Sequence, residues 1–176
     1  MPDDGEADST ATEMEVVRVG VAEDQTLRRL LEFYFHDMAE WFQFDQHPHG
    51  GYVESTEEYW REDRDVYFLN LRGLPIGFGI VGAADGWKSE AGARDMTEFF
   101  VVRRHRRAGV GKAFASHLWG LYPGSWLVRV YQANQPALPF WRRAVAEYSA
   151  GRYEEQIVSR QGKNWSYFVF ESPGGR

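Results

Sequence analysis

The loop at Arg103–Lys112 constrains the fold of this chain more than any other segment. It follows an apolar, strand-like stretch at Thr97–Val102 and precedes an amphipathic stretch, so it is expected to join a strand to a helix. Within it, the run RRAGVG at Arg106–Gly111 places glycines where side chains would otherwise block close approach to the backbone. Backbone N–H groups and the dipole at a helix start favour a bound anion. The loop therefore predicts a site for a phosphate or pyrophosphate group.

Length and composition indicate one domain and exclude several classes of protein. The 176 residues suit a single domain, predicted at residues 15–176, after a disordered acidic leader at residues 1–14. Because Cys is absent, neither disulfides nor thiolate catalysis is available. No apolar run approaches the roughly 20 residues that span a bilayer, and the start of the chain lacks the pattern of a signal peptide. A cytoplasmic location without a membrane partner is expected.

The distribution of charge argues against binding to nucleic acid. The formal net charge is −6, and residues 1–15 account for all of it, because they hold six acidic residues and no Lys or Arg. The rest of the chain is formally balanced, with cations concentrated at Arg103–Lys112. A nucleic-acid binder needs a broader basic face than this local patch. No nucleic-acid partner is expected.

Hydrophobic periodicity predicts a mixed α/β domain in the order β-α-α-β-β-β-α-β-α-β-β. The predicted strands are Glu15–Val21, Val66–Leu71, Pro75–Val81, Asp95–Val102, Trp126–Tyr131, Tyr153–Ser159 and Trp165–Glu171. The predicted helices are Asp24–Trp41, a short one near Glu54–Arg61 capped by Ser55 or Thr56, residues 111–121, and Pro136–Tyr148. In the third helix, the expected buried face consists of Ala113, Phe114, His117, Leu118 and Leu121.

Two motifs together resemble the GNAT N-acetyltransferase superfamily over residues 15–171. The first is FFVVRRHRRAGVG at residues 99–111, and the second is Asn134-x-x-Ala137-x-x-Phe140-Trp141. They occur in the family's order, with a strand, a loop, a helix and a strand in the expected places. The resemblance implies a mixed, mostly antiparallel sheet of about seven strands flanked by about four helices, with the fourth and fifth strands splayed apart.

The resemblance also implies acetyl-CoA as cosubstrate, with no metal. The backbones of Phe100, Val101 and Val102 would pair with the pantetheine amides. Asn134 would contact the pantetheine arm, although it could instead only cap the following helix, and Phe140 belongs to the same cofactor side. The N–H groups that would hold the pyrophosphate are those of Arg106, Arg107, Ala108, Gly109, Val110, Gly111 and Lys112.

For the chemistry, the resemblance points to Glu98 as the base that deprotonates the acceptor amine, with Asp95 second. Glu98 could instead be an exposed or salt-bridged strand carboxylate. Backbone N–H groups at a bulge in the fourth strand would polarise the thioester carbonyl. Trp141 stands where the family often has a Tyr that protonates the leaving thiolate, and an indole N–H is not a usable acid at neutral pH. Either no protein acid is needed, or Tyr131 substitutes.

The expected acceptor is a primary amine of a small molecule. The chain is rich in aromatic residues, and Trp41, Phe42 and Tyr52 are candidates to stack on an aromatic acceptor or shelter a cationic amine. An N-acetyltransferase of proteins or peptides and a non-catalytic acyl-CoA-binding sensor are the alternatives, and a homodimer is possible.

Two further motifs are weak. The run Gly109–Lys112 resembles part of a P-loop, but Ala113 stands where a Ser or Thr would hold magnesium. The run His47-Pro48-His49 fits a flexible loop better than a metal site.

Overall fold

A seven-stranded sheet organises the chain, with one long helix on one face and two shorter helices on the other. The computed structural model describes residues 14–84 and 92–175. Apart from Met14, the predicted leader lies outside the described residues, as does most of the polar loop between the third and fourth strands. The helices are α1 Asp24–Phe42, α2 Val110–Leu121 and α3 Ala137–Tyr148. The strands are β1 Met14–Val19, β2 Asp65–Leu71, β3 Leu74–Ala83, β4 Arg94–Val101, β5 Gly124–Tyr131, β6 Tyr153–Arg160 and β7 Lys163–Ser172.

The predicted α/β class and element order are confirmed, with small differences in the elements. The helix predicted near Glu54–Arg61 is a single 3₁₀ turn, Glu57–Trp60. The Thr56 side chain does not cap this turn but donates a hydrogen bond to Asp24 at 2.5 Å. The Ser55 hydroxyl accepts a bond from the Glu57 N–H at 3.2 Å. Three α-helices and three 3₁₀ turns therefore replace the expected four helices in the described part of the chain.

The sheet has the order β1-β2-β3-β4-β5-β7-β6 and is antiparallel except between β4 and β5. That parallel pairing joins Arg94 to Trp126 and Asp95 to Leu127, and in the described residues it extends no further. On its other side, β4 carries one extra residue, Thr97, between Met96 opposite Val81 and Glu98 opposite Ile80. An extra residue bends a strand and increases its twist. The predicted splay of the two strands therefore begins at a bulge in β4.

Apolar side chains of α1 cover one face of the sheet. Leu27, Leu30 and Leu31 recur at three- and four-residue spacing and are buried against Phe68, Phe78, Ile80 and Phe100 of the strands. The phenol of Tyr34 lies in the same stripe, with its ring centroid 5.7 Å from that of Phe78. This packing fixes the face of α1 that is turned toward β4.

The buried face of α2 differs from the predicted one. Phe114, Ala115, Leu118 and Trp119 are buried against the sheet and α3, whereas His117 is exposed and Leu121 is 45% exposed. The predicted face left out Trp119. Because Trp119 is large and apolar, burying the face made by residues 114, 115, 118 and 119 removes more apolar surface from water. The helix also lies close to the sheet, because a Cβ on Gly79 would come within 2.5 Å of Leu118.

Candidate active site

A cavity of about 470 Å³ occupies the gap where β4 and β5 separate. This volume lies within the range of roughly 300–1,000 Å³ that is usual for small-molecule sites. Side chains from α1, the loop after it, β4, β5, α3 and β7 reach the same space. The lining consists of Tyr34, Phe35, Met38, Phe42, Phe44, Met96, Thr97, Glu98, Phe99, Val128, Arg129, Val130, Tyr131, Asn134, Ala137, Trp141 and Trp165.

Glu98 is the one carboxylate among the described residues that line this cavity. Burial raises the pKa of Glu98 to about 7, and the negative charge of Glu58 adds to this rise. A hydrogen bond from Tyr34 and the positive charges of Arg129 and Arg64 lower the pKa, but they only partly offset burial. A carboxyl group with a pKa near neutrality can both take up and release a proton at physiological pH. The geometry therefore gives Glu98 the properties of a general base.

Tyr34 holds Glu98 in place and was missed by the sequence reasoning. Its phenol donates a hydrogen bond of 2.5 Å to Oε2 of Glu98. Burial and the neighbouring Glu98 charge raise the pKa of Tyr34 well above its ordinary value, so the phenol keeps its proton. The sequence placed Tyr34 in the apolar stripe of α1. A phenol in a buried stripe needs a hydrogen-bond partner, and this was the available signal.

Asp95, the second candidate base, has a different environment. It is 2% exposed and forms an ion pair with Arg129 of β5. The Arg129 side chain lines the cavity, whereas Asp95 does not. This pair bridges β4 and β5 beside the position where their backbone pairing stops. The arrangement fits a structural ion pair better than a base that faces the acceptor.

The loop before α2 holds two residues in the left-handed region, one of which is not a glycine. Arg107 and Gly109 have positive φ angles of 73° and 77°, and α2 begins at Val110. The N–H of Ala113 bonds to the carbonyl of Gly109 at 3.0 Å. The N–H groups of residues 110–112 therefore have no hydrogen-bond partner within the helix, and they lie at the end where the helix dipole favours an anion. This is the geometry of an anion-binding helix start.

The side chains around this loop already have protein partners. Arg106 donates to the carbonyl of Val101 at 2.6 Å and to Asp37 of α1 at 2.6 Å. Arg103 binds the other oxygen of Asp37 at 2.8 Å. Lys112 forms an ion pair with Glu147 of α3. The backbone N–H of Arg106 also has a partner, the carbonyl of Arg103 at 3.1 Å. The predicted pyrophosphate contact of Arg106 therefore has no free backbone donor, whereas any anion contact of Lys112 is expected from its backbone N–H.

The three backbone positions at the end of β4 are not equivalent. The Val102 N–H bonds to Ile76 of β3 at 2.8 Å and so points away from the gap. Because backbone groups alternate along a strand, Val101 points its own groups toward the side of β5. The hydrogen bond from Arg106 reaches the Val101 carbonyl on that side. By the same alternation Phe100 turns its backbone groups toward Phe78 of β3, so the predicted pantetheine pairing is left to Val101. The Phe100 side chain is buried, with its ring centroid 6.0 Å from that of Tyr34.

Asn134 caps a helix and lines the cavity at the same time. Its Oδ1 accepts a hydrogen bond from the N–H of Ala137 at 3.3 Å, at the first residue of α3. Its amide nitrogen lies 3.8 Å from the sulfur of Met38. The two interpretations of Asn134 are therefore compatible, because the capping oxygen leaves the amide N–H groups toward the cavity.

Trp141 and Phe140 pack around Phe99 of β4. The Trp141 ring is 8% exposed and lies 5.0 Å from the ring of Phe99 and 4.9 Å from that of Phe140, between centroids. A Cβ on Gly111 would lie 3.4 Å from the Phe140 ring, so this ring also supports the start of α2. Trp141 therefore fills the position of the expected Tyr as a core residue that reaches the cavity.

Four aromatic residues, Phe42, Phe44, Tyr131 and Trp165, form what we call the aromatic wall of the cavity. Phe42 lies 4.7 Å from Tyr131 and 5.9 Å from Trp165 between ring centroids. Tyr131 and Trp165 face each other across β5 and β7. Phe42 and Tyr131 were among the predicted site residues, whereas Phe44 and Trp165 were missed.

The other two predicted acceptor contacts lie elsewhere. Trp41 and Tyr52 are not among the described residues that line the cavity. The N–H of Tyr52 bonds to Glu32 at 2.7 Å, which ties the loop after α1 back to that helix. His47 also holds this loop, through Glu54 at 3.1 Å and the Tyr52 carbonyl at 3.1 Å. In residues 14–84 and 92–175, no group of three or more His, Asp or Glu side chains is placed to hold a metal ion.

None of the helices in the described part of the chain has both the length and the apolar character needed to cross a bilayer.

No protein-family model and no curated protein matches this sequence. Solved structures do match over most of the chain. The GNAT domain of S. lividans PAT has 16% identity and a TM-score of 0.65, covering 90% of each chain. Spermidine N-acetyltransferase from Vibrio cholerae, solved with CoA and spermine, has 7% identity and a TM-score of 0.64, covering 92% of this chain and 96% of its own.

An aminoglycoside acetyltransferase, AAC(6')-Ib, is similar to the same extent. Its complex with ribostamycin and coenzyme A has 17% identity and a TM-score of 0.65, covering 90% of this chain and 93% of its own. These likenesses agree with the mixed seven-stranded sheet, the parallel pairing of β4 with β5 and the gap between them. The chain therefore has the fold of the GNAT N-acetyltransferases.

Proposed function

We propose that the chain is an acetyl-CoA-dependent N-acetyltransferase that acts on a primary amine of a small molecule. The observation that carries this proposal is Glu98, a carboxyl group with a pKa of about 7 that faces the cavity between the splayed strands. A pKa near neutrality suits a residue that must accept a proton from an ammonium group and release it to water. The fold, shared with acetyltransferases of known structure, supports acetyl transfer over other reactions.

The described residues fit acetyl-CoA on the side of the gap where α2 begins. The helix start supplies N–H groups for the pyrophosphate, and positive φ angles at Arg107 and Gly109 turn the backbone toward that position. The Val101 N–H and the Asn134 amide are proposed to meet the amides of the pantetheine arm, whereas the Val101 carbonyl already accepts from Arg106. Phe99 and Phe140 offer apolar contact beside them.

The reaction follows from these positions. Glu98 takes a proton from the acceptor ammonium group and passes it to water, and the neutral amine nitrogen attacks the thioester carbonyl carbon. The carbon–sulfur bond breaks, CoA leaves as its thiolate, and the second proton, which the nitrogen loses on forming the amide, goes to water or to the thiolate. Backbone N–H groups at the Thr97 bulge are proposed to stabilise the oxyanion. Since a thiol has a pKa of about 8.5, its thiolate can leave without a protein acid, and neither Trp141 nor Tyr131 is required.

The proposal is tested by donor binding and by turnover. Acetyl-CoA should raise Tm, and release of free thiol should accelerate when an amine is added at pH 8. Failure of millimolar acetyl-CoA to change Tm would contradict the donor assignment. Binding without thiol release for any amine would instead favour the non-catalytic sensor. The cytoplasmic location and the homodimer stay predictions of the sequence.

A further inference from the structure

The aromatic wall distinguishes this cavity and bears on the identity of the acceptor. Its four rings come from the end of α1, the loop after it, the end of β5 and the start of β7. Successive ring centroids lie 4.7–6.4 Å apart, so the rings form a continuous surface. Side chains so far apart in sequence are brought together only by the fold. A surface of this kind suits a flat apolar group.

The wall is in contact with solvent in the absence of a ligand. Phe44 is 38% exposed, and the other three rings are half-buried. Contiguous exposed apolar surface on a protein commonly marks a binding site, because covering it removes apolar area from water. A ligand ring placed against Phe42 and Trp165 would cover this surface.

The charges in the cavity do not suit a ligand with several ammonium groups. Among the described lining residues, Glu98 is the single acidic side chain and Arg129 the single cationic one. The Arg129 charge is matched by Asp95, with which it forms an ion pair. Each buried ammonium group needs a partner of opposite charge. One carboxylate therefore suits one reacting amine, whereas the ribostamycin or spermine bound in the structural neighbours carries several amines.

A chain of contacts connects the wall to the proposed base. Tyr34, which donates to Glu98, lies 5.2 Å from Phe35 between ring centroids. Phe35 in turn lies 6.1 Å from Phe44 of the wall. Base and wall thus line one cavity of about 470 Å³, a volume that holds an aromatic ring with a short alkyl chain.

We propose that the acceptor is an arylalkylamine, with one primary amine on a short chain attached to an aromatic ring. The ring rests on the aromatic wall, and the amine lies at Glu98. This proposal rests on the proposed function. It names the class of acceptor, and it sets this chain apart from polyamine and aminoglycoside acetyltransferases.

A panel of amines tests the class. Thiol release from acetyl-CoA is measured with phenethylamine, tryptamine, ethylamine, 1,5-diaminopentane, spermidine and kanamycin. We expect kcat/KM for phenethylamine to exceed that for 1,5-diaminopentane and spermidine at least tenfold. 1,5-Diaminopentane is included because aromatic rings also attract cations. It shows whether the wall prefers an aromatic ring or a second ammonium group. A preference for the diamine, spermidine or kanamycin would overturn the arylalkylamine proposal and leave the proposed function intact. Thiol release with none of the amines would overturn both.

Variants of the wall show whether the rings cause the preference. Trp165→Ala and Phe42→Ala should lower kcat/KM for phenethylamine about tenfold, mainly through KM, and should change the value for ethylamine much less. Trp165→Leu keeps apolar volume and provides a second variant in case Trp165→Ala does not fold. Phe33→Ala is the matched control, because Phe33 lies on α1, is 60% exposed and does not line the cavity. Equal losses with phenethylamine and ethylamine in the wall variants would overturn the proposal.

Discussion

The loop before α2 and the aromatic wall face the same gap, but they are built in different ways. The loop presents backbone groups from consecutive residues, and its shape depends on positive φ angles at Arg107 and Gly109. The wall presents side chains from four separate segments, joined by ring contacts. Substitutions should therefore affect the loop mainly through backbone conformation and the wall mainly through side-chain chemistry. The predictions below test that difference, beginning with the largest effect.

The largest effect is expected from loss of the proposed base. Glu98→Gln keeps the shape of the side chain but removes proton acceptance, so kcat should fall about 100-fold or more. The KM for acetyl-CoA should not change, because the proposed donor contacts are backbone groups of the loop and Glu98 is not one of them. Steady-state thiol release at pH 8 measures both constants. Glu15→Gln on β1, at an exposed position, is the control. Full activity in Glu98→Gln would assign the base to another group.

A smaller effect is expected from the backbone of the loop. Gly109 has φ 77° with nothing near the position of a Cβ, so Gly109→Ala adds backbone strain without a steric clash. A left-handed conformation costs a residue other than glycine about 1–2 kcal/mol, which corresponds to roughly a tenfold loss of acetyl-CoA affinity if the loop relaxes. Isothermal titration calorimetry measures this loss.

Gly151→Ala is the matched control for the loop. Gly151 has φ 76°, also with open space around it, and lies after α3. This variant should lose a similar amount of stability and keep its affinity for acetyl-CoA. Equal losses of affinity in the two variants would show that general destabilisation, rather than the shape of the loop, lowers donor binding.

The pH dependence should report on Tyr34 and Glu98. Since the pKa of Glu98 is about 7, and the base acts when ionised, kcat/KM should fall as the pH decreases through 7. The Tyr34 hydrogen bond lowers the pKa of Glu98, so Tyr34→Phe should move this fall to higher pH. A net hydrogen-bond contribution of about 1 kcal/mol corresponds to roughly threefold lower activity at pH 7, because Glu98 is about half ionised there before the substitution.

The comparison at high pH separates a change in pKa from damage to the site. At pH 9 both proteins should hold Glu98 ionised, and their activities should approach each other. A loss of the same size at every pH would mean that Tyr34 acts on packing rather than on the protonation of Glu98.

The smallest effect is expected at Asn134, where a cap and a cavity contact coincide. Asn134→Ala removes the side-chain oxygen that accepts from Ala137, but the Asn134 backbone carbonyl still accepts from the same N–H at 3.1 Å. The free energy of unfolding should therefore fall by about 0.5 kcal/mol, the low end for a lost cap. Asn134→Asp keeps that oxygen and should retain stability, but it loses the amide N–H groups. Both variants should raise the KM for acetyl-CoA about twofold, the effect of a hydrogen bond worth about 0.5 kcal/mol. Chemical denaturation and steady-state kinetics separate the two roles, and an unchanged KM in Asn134→Asp would limit Asn134 to capping.

How much the sequence predicted depended on the number of separate segments that form each feature. The loop at Arg106–Lys112 is contiguous, so its glycines, the flanking strand and the following helix could be identified together. Glu98 came from the same stretch through the resemblance. Its pKa could not be predicted, since burial and the hydrogen bond from Tyr34 arise only when α1 packs on β4.

The aromatic wall was harder to predict because neighbouring residues on a helix point in different directions. Trp41 and Phe42 are adjacent, and a step of one residue turns the side chain by about 100°. Of these two residues, Phe42 lines the cavity and Trp41 does not. Trp165 was correctly placed in the last strand, although this strand begins at Lys163. Its pairing with Tyr131 depends on the register of β5 with β7.

The ion pairs of Asp37 have a consequence for the order of binding. Asp37 lies one turn after Tyr34 on α1 and is held by Arg103 and Arg106 of the loop. A ligand that orders the loop therefore also restricts the motion of α1, which positions Glu98. In the same way, a ligand that orders α1 restricts the motion of the loop. Linkage makes this effect reciprocal, so whatever factor the donor contributes to acceptor affinity, the acceptor contributes to donor affinity. Two molecules, one at the loop and one in the cavity beside the C-terminal half of α1, would then bind cooperatively.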